Sequence, residues 1–203
     1  MTILALETST SRGSVALRMD GSLVLHESFN ADRSQSSDMF PVLERARRLV
    51  PNLDVIAVGL GPGSYAGVRI AIAAALGLAC ATGAELLGLA SVAALTPETD
   101  HYIAIGDARR ETFYFTAVTA GRCEEGPLLL DAAALTERLR EVDCPIYSPS
   151  VIAIEPRAIV ALPDARILAR LAEGRIGVLQ TGDLEPLYLR DPHITTPRSG
   201  PTS

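Results

Sequence analysis

The sequence predicts an α/β fold built from two βββαβα halves. Three observations point there. A β-rich apolar run and a hairpin open the chain. A strand, a glycine loop and an all-apolar helix follow them. The same order of elements then returns beyond about residue 100.

In the first half, Thr2–Thr8 reads as a strand and Ser9-Thr-Ser-Arg-Gly as a polar turn. Ser14–Met19 and Leu23–Phe29 read as two strands joined by the hairpin turn Asp20-Gly21. Ser36 or Ser37 is the expected N-cap of a helix over Asp38–Leu49. Met39, Phe40, Leu43 and Ala46 fall on one face of it, and Pro41 falls near its first turn. Arg45, Arg47 and Arg48 cluster on the same helix, as a solvated face or as a local basic patch. The strand Asp54–Gly59 then feeds Gly61-Pro62-Gly63-Ser64, with Ser64 or Ala66 near the start of the next helix.

That helix has no polar face, because no charged residue stands between Arg69 and Glu85. A helix apolar all round must be covered on every side. A sheet can cover one side only, so the other side calls for a second helix or another protein. The run from Gly67 to Ala84 approaches membrane-spanning length but lacks aromatic or basic anchors, and reads as a buried helix. The glycine loop lacks the Gly-Lys-Ser/Thr of a Walker A loop and the third glycine of a dinucleotide fingerprint. Both a tight structural turn and an anion cradle remain open for it.

In the second half, Leu86–Ala90 reads as a connection and Ser91–Leu95 as a helical turn. His101–Gly106 and Glu111–Val118 are strands, and a less defined third strand ends near Leu130. Asp131 caps a helix through about Glu141. Pro145–Tyr147 is a further strand and Asp164–Glu173 a last helix. The expected lobes are 1–97 and 98–190, with 191–203 a flexible tail. The duplication places Glu7 and Asp107 at equivalent strand ends, facing a common cleft. Two carboxylates so placed suit a metal–nucleotide held between lobes, or simply two capped turns.

Composition narrows the function. The chain has 203 residues, of which 48% are apolar, and a formal net charge of −6, which argues against a stand-alone non-specific nucleic-acid binder. Three cysteines without Cys-x-x-Cys spacing fit a reducing compartment, and the N-terminus shows no basic leader, so a cytoplasmic location is expected. His26, His101 and His193 are far apart, so no metal and no cofactor are expected.

Four blocks carry a resemblance: the opening Thr2-Ile-Leu-Ala-Leu-Glu-Thr-Ser-Thr, Asp54 through Ile70 with its Gly-Pro-Gly-Ser core, Ile105-Gly-Asp-Ala-Arg-Arg-Glu-Thr-Phe-Tyr, and Glu185-Pro-Leu-Tyr-Leu-Arg. Together they resemble the TsaB/YeaZ family, the bacterial dimerisation subunit of the machinery that makes N6-threonylcarbamoyladenosine on tRNA. The resemblance implies an actin-like, Hsp70-like ATPase (ribonuclease H-like) fold with a degenerate second lobe. It implies a non-catalytic, activating role beside the catalytic subunit TsaD, with the ATPase TsaE and tRNA joining the complex. It also implies no membrane, and homodimerisation through the same helices when the partner is absent. The expected partner surface comprises Met39, Phe40, Leu43 and Arg47 on the first helix and Arg69, Ala71, Ala74, Ala75 and Leu78 on the second. The vestigial phosphate or nucleotide cleft comprises Glu7, Thr8, Gly61, Gly63, Ser64, Gly67 and Asp107.

The chain departs from the family pattern at several points. Glu7 stands in place of an Asp, Tyr65-Ala66 in place of Phe-Thr, and Ala71 in place of a glycine, while 145–182 is contracted. Where the wider superfamily has a glycine-rich adenosine turn, this chain has Tyr147-Ser-Pro-Ser, and proline removes a backbone donor there. Two other activities were weighed against the subunit role. An independent ATP-dependent phosphotransferase needs an intact adenosine turn and a catalytic base. A protease needs His-Glu-x-x-His or a base for Ser64, and the sequence offers neither.

Overall fold

The computed structural model describes residues 1–30, 35–95 and 99–190, with 35–37 as backbone only. The expected lobe boundary at 97/98 and the tail 191–203 lie outside the described residues. The chain forms two sheets. The first holds β1 (Thr2–Glu7), β2 (Arg12–Met19), β3 (Ser22–Asn30), β4 (Val55–Gly59) and β5 (Glu85–Leu89) in the spatial order β5-β4-β1-β2-β3, with β11 (Val178–Thr181) added outside β5. The second holds β6 (His101–Asp107), β7 (Thr112–Thr119), β8 (Arg122–Asp131), β9 (Ile146–Ser148) and β10 (Ile159–Val160) in the order β10-β9-β6-β7-β8. The two orders are the same. In each half an antiparallel meander is followed by two parallel strands beside its first strand. This is the duplicated actin-like fold.

The helices are α1 (Gln35–Leu49), α2 (Tyr65–Thr82), α3 (Ala132–Leu139) and α4 (Ala165–Glu173). Alternation along the strands assigns them their places. Leu4, Leu6, Ile56 and Val58 face α1 and α2, whereas Ile3, Ala5, Val55 and Ala57 face α4. With both faces covered, β1 and β4 read as unbroken apolar runs rather than alternating ones. On the second sheet, Ile103, Ile105 and Phe115 pack with Leu135 and Leu139 of α3. Tyr102, Ala104 and Tyr114 share a core with α4 and the first sheet.

Three expectations on the elements are corrected. Leu86–Ala90 is not a connection but largely β5, buried on both faces and paired in parallel with β4. Ser36 and Ser37 lie inside α1 rather than at its cap, and the residues before Gln35 lie outside the described ones. The third strand of the second half, expected to end near Leu130, stands as β8, ten residues long, with register shifts opposite Phe115–Val118 around Gly126-Pro127. The last helix follows the second half in sequence but packs on β1, β2 and β4, with β11 pairing beyond β5. The hairpin turn at Asp20-Gly21 and the Asp131 cap stand where they were expected, and Asp164, expected as the first residue of the last helix, is its N-cap. Arg45 pairs with Glu27 and Arg48 with Glu44, which makes this part of α1 a solvated ion-paired face.

Candidate functional site

Two features of the first half converge on the glycine loop. Ser64 caps α2 by accepting from Gly67 N at 3.2 Å, and Gly83, left-handed at φ 74°, closes the other end with its N–H on Ala79 O. The loop itself is stapled from both sides. Gly61 N donates to Ser91 Oγ at 3.0 Å and Ser91 N to Gly61 O at 2.8 Å, while Ser64 N donates to Ser9 O at 2.6 Å. A Cβ on Gly63 would stand 2.1 Å from that same Ser9 oxygen, so glycine is required by close approach. Thr8 Oγ1 donates to Gly67 O at 2.8 Å, tying the end of β1 to the first turn of α2. An anion cradle needs free backbone donors, and those of Gly61 and Ser64 are engaged within the protein.

The carboxylate expected in the cleft is behind the loop instead. Glu7 has no exposed surface. Its Oε1 accepts from Ser9 N at 2.6 Å, while Oε2 lies against Gly59 beside the Ser91 hydroxyl. Burial pushes its pKa above the ordinary carboxylate value, against the lowering by hydrogen bonds from the Ser9 and Ser91 side. Asp107, at the equivalent end of β6, is exposed and does line the interlobe groove. Thr8 and Gly67 are buried with Glu7, so the expected cleft residues are divided: Gly63, Ser64 and Asp107 line the groove, and Glu7, Thr8, Gly61 and Gly67 do not.

The buried acid predicts a pH effect. A carboxyl whose folded pKa is raised contributes stability that is fully present below its unfolded value near 4.5 and lost as pH rises through the folded value. Glu7→Gln keeps the acceptor for Ser9 N and removes the charge. It is expected to be more stable than the parent at pH 7.5, with the gain shrinking toward pH 4.5 in thermal melts. A destabilised Gln variant at pH 7.5 would contradict this.

The groove has a volume of about 980 Å³ and lies between the ends of β1 and β6, with residues 186–190 along it. At its mouth the Tyr65 and Tyr188 rings stand 5.5 Å apart, and Arg69 sits over Tyr65 at 5.1 Å while donating to its hydroxyl. Among the described residues no group of three or more His, Cys, Asp or Glu could hold a metal ion. His26 lies beside Asp164 and His101 beside Thr119, in different lobes.

The second feature is the outer face of α2. Val68, Ala71, Ile72 and Ala75 pack on the sheet, and Tyr65, Ala66, Arg69, Ala73, Leu76, Gly77 and Cys80 are exposed. This stripe is apolar except for Arg69. By length and composition α2 could cross a membrane, but its inner face belongs to the core of the first lobe.

Burial divides the residues expected on a partner surface. Ala71 and Ala75 are 0% exposed, Met39 is 0% and Leu43 is 4%, so all four are core. Arg69 and Phe40 (51% exposed) lie outward, and Arg47, Ala74 and Leu78 are half-buried. The exposed stripe also carries Ala73, Leu76, Gly77 and Cys80, which the expected surface did not include. No signal in a uniformly apolar helix could have separated them from their neighbours.

This architecture has known counterparts. YeaZ from Pseudomonas aeruginosa superposes with a TM-score of 0.69 at 26% identity, covering 93% of this chain and 99% of that one. The family model for TsaD, tRNA N6-adenosine threonylcarbamoyltransferase, matches residues 40–137. In sequence and in fold the chain is similar to the TsaB/YeaZ proteins. Among its relatives, an uncharacterized protein of Mycobacterium tuberculosis is 29% identical over 202 residues, 94% of this chain and 92% of its own length. The Haemophilus influenzae tRNA threonylcarbamoyladenosine biosynthesis protein TsaB is 30% identical over 128 residues, 58% of this chain and 54% of its own length. That match spans about half of the H. influenzae protein.

Proposed function

We propose that this chain acts in threonylcarbamoyladenosine synthesis as a scaffolding and activating subunit without catalysis of its own. It pairs with a TsaD-type subunit that transfers threonylcarbamoyl to N6 of adenosine 37 in tRNAs reading codons that begin with A. The observation that carries the reading is the bare outer face of α2. An apolar stripe from Ala66 to Cys80, rimmed by Arg69 and Tyr65, is left open on a helix whose other face is fully packed. The names of the relatives supply the pathway, and the likeness of residues 40–137 to TsaD supports a partner built on the same fold. The site chemistry supports a non-catalytic role: the carboxylate at the end of β1 is sealed behind the loop, and Ser64 serves as a helix cap. TsaE would join this pair rather than replace it.

Mixed with a TsaD-type protein, the chain is expected to elute as a complex. Alone, it is expected to elute as a homodimer held through the same stripe. Separate elution of the two proteins would overturn the reading.

A further inference from the structure

Residues 183–190 run from the first lobe to the second along the groove, with unequal anchors at the two ends. In the first lobe the anchoring is redundant. Glu185 exchanges two hydrogen bonds with the Gln180 side chain, Leu184 is buried beside Leu60 and Gly88, and Leu187 N donates to Leu60 O at 2.8 Å. In the second lobe the polar anchor is one side chain. Arg190 donates to Thr112 Oγ1 and reaches Arg109 O at 3.5 Å.

The anchored element is unusual. Arg109, Arg110 and Glu111 have φ of 67°, 53° and 59°, three successive non-glycine residues in the left-handed region, which L-residues normally visit singly. Such a segment persists only where its surroundings over-determine it. From inside the hairpin, Asp107 Oδ1 accepts from Arg109 N at 2.7 Å and Thr112 Oγ1 donates to Arg109 O at 2.8 Å. From outside, Arg190 donates to the Thr112 hydroxyl and reaches the same Arg109 carbonyl. Between the two anchors, Tyr188 lies against Tyr65, the first residue of α2 and the end of its open stripe.

We propose that residues 183–190 form a strap through which a partner seated on α2 holds the strained β6–β7 hairpin of the other lobe in place. This rests on the docking reading above. A partner covering Tyr65 and Tyr188 fixes the middle of the strap. Arg190 transmits that constraint to Arg109 and Thr112, so docking on one lobe sets the order of the groove's opposite wall.

Hydrogen exchange of the 109–112 amides tests the latch and the coupling separately. In the free chain, Arg190→Met should speed exchange of these amides at least tenfold and leave the Leu187 amide unchanged. Equal rates in the variant and the parent would overturn the latch. With a TsaD-type protein bound, exchange of the same amides should slow at least fivefold in the parent. It should not slow in Arg190→Met, which should still bind, or in Tyr188→Leu, each measured at a partner concentration that saturates it. Tyr188→Leu should match the parent when free. Equal slowing in parent and variants would mean that the partner covers the hairpin directly, and would overturn the coupling. If the parent does not bind the partner at all, the docking reading falls and the coupling with it, while the free-chain comparison still decides the latch.

Discussion

Leu76→Glu and Ala73→Glu are expected to weaken association with a TsaD-type partner at least a hundredfold while leaving the fold intact. Leu76 is 42% exposed and Ala73 lies on the same outer stripe, so in the free chain the new carboxylate stays in water. Surface changes of this kind shift stability by about 0.5 kcal/mol or less. In a docked complex the same charge would be buried against apolar surface without a partner, which costs far more than a side-chain contact returns. Ala71→Glu and Ala75→Glu are the internal contrast. Both positions are fully buried in the core shared by the sheet and α2, so these variants should fail to fold rather than fail to bind. Melting curves and titration of the partner, measured on all four, separate the two faces of one helix. Undiminished affinity in both outer-face variants would remove α2 from the interface.

The second large effect concerns the junction of β4 and the glycine loop. A Cβ on Gly59 would stand 1.9 Å from Glu7 Oε2 and 2.7 Å from Ser91 Oγ, and both side chains are completely buried. Neither can swing into solvent, so Gly59→Ala is expected to cost about 2–4 kcal/mol and to lower Tm by roughly 10 °C. Shortening the acid should relieve part of this, so Gly59→Ala should cost less in a Glu7→Ala background than in the parent. Gly77→Ala shows the opposite sign. That glycine lies on the open side of α2 with nothing within 4 Å of its added Cβ, and the substitution should stabilise by about 0.5–1 kcal/mol through helix propensity. A Gly59→Ala variant melting within 2 °C of the parent would contradict the packing described around Glu7.

Much of the fold was legible because local chemistry marks it. Asp20-Gly21 is a turn wherever it stands between two apolar runs, Asp131 and Asp164 cap helices by side-chain acceptance, and Gly61-Pro62-Gly63-Ser64 announces the start of α2. What escaped the sequence depends on distant contacts. Nothing in 165–181 says that α4 packs on β1 and β2 of the first sheet, or that β11 extends that sheet beside β5. The stretch Leu86–Leu89 hid a strand because both its faces are covered, which erases the alternation by which strands are recognised.

The candidate site was legible as a region but not in phase. The absence of polar residues in α2 predicted a surface needing cover. That same absence removed the periodic contrast that would have distinguished Ala73 and Leu76 from Ala71 and Ala75. Glu7 illustrates the complementary limit. Its place at the end of β1 follows from the repeat, but its direction is set by Gly59 and Ser91, which meet it only in the folded chain.

The central claim is that this chain works by activating a partner and not by catalysis. The direct measurement is threonylcarbamoyl transfer to adenosine 37 of a tRNA, reconstituted with threonylcarbamoyl donor, the TsaD-type subunit and TsaE, with and without this chain. The account predicts transfer that depends on the chain, is lost with Leu76→Glu, and is absent when the chain is supplied without the TsaD-type subunit. Transfer that proceeds equally well without the chain, or that the chain performs alone, would contradict it.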